Sequence, residues 1–79
     1  MPRNLRWRDP AWALLMELPV KMQQDALTAV GALLADPLPA EAEPYPEVPN
    51  TFKLTTGLVT VFYRRIGEEI DVVYLRPNS

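Results

Sequence analysis

The chain has 79 residues, eight Lys and Arg against ten Asp and Glu, and neither cysteine nor histidine. That length fits one domain, 1–79, near the lower limit for a core that holds without staples. The missing residue types remove disulfides, thiolate metal sites, zinc hydrolysis and histidine-dependent nucleophilic catalysis, so no metal or cofactor is expected. The longest apolar run, Ala11 to Met16, is far short of the ~20 residues a spanning helix needs, and no apolar signal region follows the first arginines, so a cytoplasmic protein is expected.

Charge is unevenly spread. Residues 1–8 carry three arginines and no acid, whereas residues 36–50 carry Asp36, Glu41, Glu43 and Glu47 with no base. The whole is not the basic footprint of a nucleic-acid binder. An arginine-rich surface forms only if the amino terminus and the carboxy-terminal third lie together.

Leu5-Arg6-Trp7 reads as a short strand. Asp9 is a good N-cap and Pro10 suits the first helical position, because its missing N–H would lack a partner anyway. From Ala11 to Glu17 the apolar side chains run nearly all the way round, which predicts a helix buried on more than one side. Pro19 turns the chain. Val20 to Ala35 then shows the clearest periodicity, with Val20, Leu27, Val30, Leu34, Met22, Ala26 and Leu33 on one wide stripe. Gly31 costs that helix roughly 1 kcal/mol relative to alanine, which points to close packing there. Asp36-Pro37 ends the helical pair.

Five of the nine prolines fall in residues 37–50. Proline lacks the ladder donor, so this stretch is neither helix nor central strand but an extended acidic loop. Phe52 to Pro77 reads as a three-strand antiparallel meander with Leu5–Trp7 as a fourth strand, and Gly67-Glu68 is a hairpin connection. Alternation places Lys53, Leu58, Thr60, Phe62 and Arg64 on the open face. Burying the Asp71 carboxylate unpaired would be costly, which turns it outward. That choice sets Ile70, Val72 and Tyr74 towards the helices and Asp71, Val73 and Leu75 outward. Leu58, Phe62, Val73 and Leu75 then form an exposed apolar patch, the usual mark of a partner site.

Four stretches carry a family resemblance: Trp7-Arg8-Asp9-Pro10-Ala11, Leu33-Leu34-Ala35-Asp36-Pro37, Phe52-Lys53-Leu54-Thr55-Thr56-Gly57, and Val61-Phe62-Tyr63-Arg64 with Ile70-Asp71-Val72-Val73-Tyr74-Leu75. In their order they resemble the RelE/ParE superfamily of toxins from bacterial type II toxin–antitoxin systems. The resemblance implies an α+β fold, β-α-α-β-β-β, with the helical hairpin on one face of a small antiparallel sheet. It also implies an antitoxin that wraps the toxin. The RelE-type target is mRNA in the ribosomal A site, cut without a metal by cationic side chains on the open sheet face. The ParE branch inhibits DNA gyrase instead.

Carried over residue by residue, Lys53 matches a family lysine. Arg76 stands near the family's late arginine, and Arg64, matched to no family position, is expected as a further phosphate contact if the protein is an enzyme. Thr55 and Thr60 stand where two more cations belong, and the sequence ends at Ser79, before the family's late tyrosine or histidine. Phosphoryl charge is stabilised by several cations acting together, so this set is depleted. Two functions therefore follow. One is a toxin acting on translation or on gyrase, with Lys53, Arg64 and Arg76 on the phosphate. The other is a non-catalytic, toxin-derived interaction module that binds a protein through the open face.

Overall fold

The structure, a computed structural model, describes residues 4–78; Arg3, one of the three amino-terminal arginines, lies outside them. Strand β1 (Asn4–Trp7) leads into helices α1 (Asp9–Glu17) and α2 (Val20–Ala32), followed by strands β2 (Ala42–Pro44), β3 (Thr51–Thr55), β4 (Val59–Ile66) and β5 (Glu69–Pro77). They form one sheet in the order β1-β5-β4-β3-β2. The meander β2 to β5 is antiparallel, as alternation predicts, but β1 adds to β5 in parallel. The chain starts at that edge, and the helical hairpin carries it across one face of the sheet towards β2 at the opposite edge. Gly67 makes the β4–β5 corner with φ of 59°, the left-handed conformation a two-residue hairpin asks for.

The helices cover one face. Ala11 and Leu15 of α1 and Ala26 and Val30 of α2 pack with Val59, Val61, Val72 and Leu75. A second cluster joins Leu33, Leu54, Tyr63 and Ile70. Tyr63 is fully buried, and its hydroxyl donates to the Pro37 carbonyl at 2.7 Å, fastening the start of the acidic segment to the sheet. Burial pushes its phenol up to about 12, opposed by the Arg65 charge and aided by Asp36. The Asp25 carboxylate accepts from the Thr56 hydroxyl and from the Leu58 N–H (3.3 Å), tying α2 to the β3–β4 connection.

Several expectations are corrected. Helix α1 opens on Asp9 itself, with the Trp12 N–H donating to the Arg8 carbonyl at 2.9 Å, so Asp9 is a first-turn acid and not the cap. Nor is α1 buried on more than one side: Trp12 and Met16 are about half exposed. Val20 and Leu27 of α2 are exposed too, so the wide stripe is used along its Ala26, Val30 and Leu33 edge, with Met22 partly buried against the same core. Helix α2 stops at Ala32, where the chain tightens into i to i−3 bonds, Leu33 to Val30 (3.0 Å) and Leu34 to Gly31 (3.2 Å). Gly31 is no close approach, since a Cβ there would meet nothing within 4 Å. Inside residues 37–50, Ala42–Pro44 forms a short edge strand, a place where proline's missing donor faces outward without loss.

The largest correction lies in β5. Phe62 pairs with Tyr74, but Tyr63 pairs with Val72, so Val73 is an extra residue without a partner opposite. A bulge of one residue reverses the faces of everything beyond it. Leu75, expected outward, is fully buried, and Tyr74, expected inward, is 45% exposed on the open face. Asp71 is buried as well, at 2% exposure. It has the partner a buried carboxylate requires, Arg8, at 3.3 Å. Among the described residues no helix is long and apolar enough to cross a membrane.

Candidate functional site

The open face holds a groove of about 610 Å³. Its floor is the middle of the sheet. Strand β3 contributes Thr51 and Lys53, β4 contributes Phe62 and Arg64, and β5 contributes Val73, Tyr74 and Arg76. One wall is the segment after β2, through Tyr45 and Val48. That wall is held where the Tyr45 N–H donates to the Thr51 carbonyl at 2.9 Å, continuing the β2–β3 pairing past Pro44.

Three aromatic rings line up across the groove. Tyr45 meets Phe62 edge-on with centroids 5.2 Å apart, and Phe62 meets Tyr74 at 5.7 Å. The Arg76 guanidinium lies over the Phe62 ring at 5.9 Å, within cation–π range. Lys53 stands opposite Glu43 of β2, Nζ to Oε1 3.9 Å, so this lysine is partly countered from the sheet edge. The result is an apolar aromatic strip bordered by Lys53, Arg64 and Arg76.

The structure thus gathers Lys53, Arg64 and Arg76 in one groove, with Phe62 and Val73 between them. It separates the other two members of the expected apolar patch. Leu75 is in the core because of the bulge. Leu58 is exposed in the β3–β4 connection, where its carbonyl accepts from the Asn78 N–H (3.0 Å), and it does not line the groove. Thr55 and Thr60, where the family resemblance leads one to expect cations, face each other with hydroxyls 3.5 Å apart, and Thr60 donates to the Asn78 carboxamide.

Four groove residues escape the sequence reading, Tyr45, Val48, Thr51 and Tyr74, and the two aromatic ones matter most. Tyr74 was assigned to the helix side by strict alternation, which an unmarked bulge defeats. Tyr45 lies in the proline-rich segment, and its signal is an aromatic between two prolines, Pro44-Tyr45-Pro46, the one aromatic in residues 37–50. Chemically, a cationic rim around aromatic faces suits an extended chain of phosphates and unstacked bases. The rim gathers three cationic side chains, and Tyr74 adds a phenolic hydroxyl. Among the described residues no three His, Cys, Asp or Glu side chains gather as metal ligands.

A hairpin of helices on one face of an antiparallel meander, with an amino-terminal strand parallel to the last, is the fold of solved RelE and ParDE chains. The chain has that fold. It superposes on a chain of the RelBE2 toxin–antitoxin complex from Mycobacterium tuberculosis with a TM-score of 0.86 at 22% identity, covering 99% of this chain and 100% of that one. Against the isolated RelE toxin of E. coli the TM-score is 0.82 at 14% identity, covering 98% and 85%. A chain from a chromosomal ParDE system of P. aeruginosa gives 0.77 at 22%, covering 98% and 97%. No protein-family model and no curated protein sequence matches the chain.

Proposed function

We propose that this protein is a RelE/ParE-like toxin that arrests growth by metal-independent cleavage of mRNA on the ribosome. The observation behind this reading is the β5 bulge, which brings Tyr74 into the groove beside Arg76, Arg64 and Lys53. The set that looked depleted in the sequence thereby regains a hydroxyl. In this mechanism the cations hold the scissile phosphate and stabilise the charge that builds on its oxygens. Tyr74 serves proton transfer at the 2′-hydroxyl or the leaving oxygen. The aromatic strip keeps neighbouring bases unstacked and in line.

A small antitoxin partner belongs to this reading. Its support is the fold, shared with chains from toxin–antitoxin complexes, and the exposed Trp12, Met16, Val20 and Leu27 of the helical hairpin, apolar surface that a wrapping chain would cover.

The test is a cleavage assay on ribosomes programmed with a defined mRNA. Wild-type protein should cut in the A site without added metal, and Lys53→Ala should lower the rate by about tenfold or more. Growth arrest without mRNA cleavage moves the target to DNA gyrase, assayed by supercoiling. A second reading, a non-catalytic module that binds a protein in the groove, is favoured by Glu43 countering Lys53 and by the two threonines at cationic positions. Full tolerance of high expression, without cleavage or supercoiling effects, supports that reading over the toxin.

A further inference from the structure

Asp71 is a carboxylate at 2% exposure on β5, yet its charge is only half accounted for. Oδ2 meets the Arg8 Nη2 at 3.3 Å, while Oδ1 is buried and has no hydrogen-bond partner among the described residues. Directly opposite on β4 stands Arg64, whose Nε is also buried without a partner. Opposed residues of an antiparallel pair share a face, with Cβ atoms about 4.5–5.5 Å apart. The Arg8 Nε is a third buried atom without a partner, so one orphan acceptor lies among two orphan donors, and Arg8 already serves the carboxylate through Nη2.

We propose that Asp71 is a positioning residue of the groove: Asp71 and Arg64, which make no ion pair in the structure, close by a side-chain shift so that Oδ1 takes the Arg64 Nε–H and aims the guanidinium at a bound phosphate. This rests on the reading of the groove as an RNA-backbone site. Guanidinium presents its donors in a rigid fork, so fixing Nε fixes both terminal nitrogens. Those two nitrogens remain for a bidentate phosphate contact. A carboxylate beside Arg64 would by itself cancel the charge the groove needs. Arg8, on the other carboxylate oxygen, restores it: two arginines around one carboxylate leave one net positive charge. Stability alone gives no reason for the cluster, because buried ion pairs seldom outperform apolar packing.

The test has two arms. In the free, 15N-labelled protein the Arg64 Nε–H should exchange slowly with solvent, and Asp71→Ala, which leaves no acceptor there, should abolish that protection. Separately, a 2′-O-methyl single-stranded RNA, which binds but resists cleavage, is titrated at several salt concentrations. Asp71→Asn should weaken binding about tenfold and reduce the salt dependence by roughly one phosphate contact. In an Arg64→Ala background the same substitution should add nothing, as expected for residues acting as one unit. Fast exchange of the wild-type Arg64 Nε–H, or additive losses in the double variant, overturns the proposal. The first of these needs no variant to fold. Wild-type protein that binds no RNA while its Arg64 Nε–H stays protected overturns the RNA reading and leaves the pairing standing.

Discussion

Phe62 stands opposite Tyr74 with ring centroids 5.7 Å apart, while the very next residue, Tyr63, stands opposite Val72. Val73 is skipped. From that point on, β5 presents to the helices what strict alternation would present to solvent. The offset puts a branched aliphatic side chain into the core and an amphipathic one on the surface, the arrangement each prefers.

The bulge therefore makes unlike demands on neighbouring positions. Leu75→Ala removes a fully buried side chain from the core and should destabilise the protein by about 2–5 kcal/mol in urea unfolding. Val73→Ala trims a half-buried groove residue and should cost less than about 1 kcal/mol. Equal losses at the two positions would contradict the register.

How much of this was legible follows from what each signal measures. The helical pair, the meander and the Gly67-Glu68 turn could be read because periodicity, proline and glycine act locally. Which side of α1 is buried could not, because Trp12, Met16, Ala11 and Leu15 are all apolar and only tertiary packing selects among them. The site was half legible. Lys53, Phe62 and Arg64 precede the bulge on the chain and follow alternation. Tyr74 and Leu75 follow it and do not, since Val72-Val73 carries no glycine or other mark of an inserted residue. Asp71 was placed outward on the expectation that a buried carboxylate needs a partner, and the partner, Arg8, comes from the far end of the chain.

Tyr63 makes stability fall in alkali. Its phenol is raised from 10.0 to about 12 by burial, so the folded protein keeps a proton that the unfolded chain has lost. The stability that this tyrosine contributes is complete below pH 10 and lost as pH rises from about 10 to about 12. Tyr63→Phe should cost about 1–2 kcal/mol at neutral pH, through the lost bond to the Pro37 carbonyl. It should also flatten the alkaline decline. Urea midpoints measured across that range would show both effects, and an undiminished slope in the variant would assign the titration elsewhere.

Gly31 offers a gain. It lies inside α2 with open space where a Cβ would stand, so no packing opposes a side chain. Gly31→Ala should stabilise by about 0.5–1 kcal/mol, by removing backbone freedom from the unfolded chain and favouring the helix. A rise of a few degrees in melting temperature is the expected reading. A fall would mean that the glycine serves a contact absent from the isolated chain.

Glu43 tests the groove from its rim. It is mostly exposed on the edge strand, opposite Lys53 and 3.9 Å from its ammonium. An exposed pair of this kind is worth about 0–1 kcal/mol, so Glu43→Gln should leave the unfolding curve nearly unchanged. Its effect on a polyanion is different, because the carboxylate both occupies Lys53 and repels phosphate. Glu43→Gln should tighten single-stranded RNA binding about two- to fivefold at low salt, with the gain shrinking as salt screens the charge. In a Lys53→Ala background most of that gain should disappear, since the acid would no longer have a lysine to release. If Glu43→Gln leaves RNA affinity unchanged at every salt concentration, phosphate does not approach Lys53, and the groove holds its ligand by the Arg64 and Arg76 side alone.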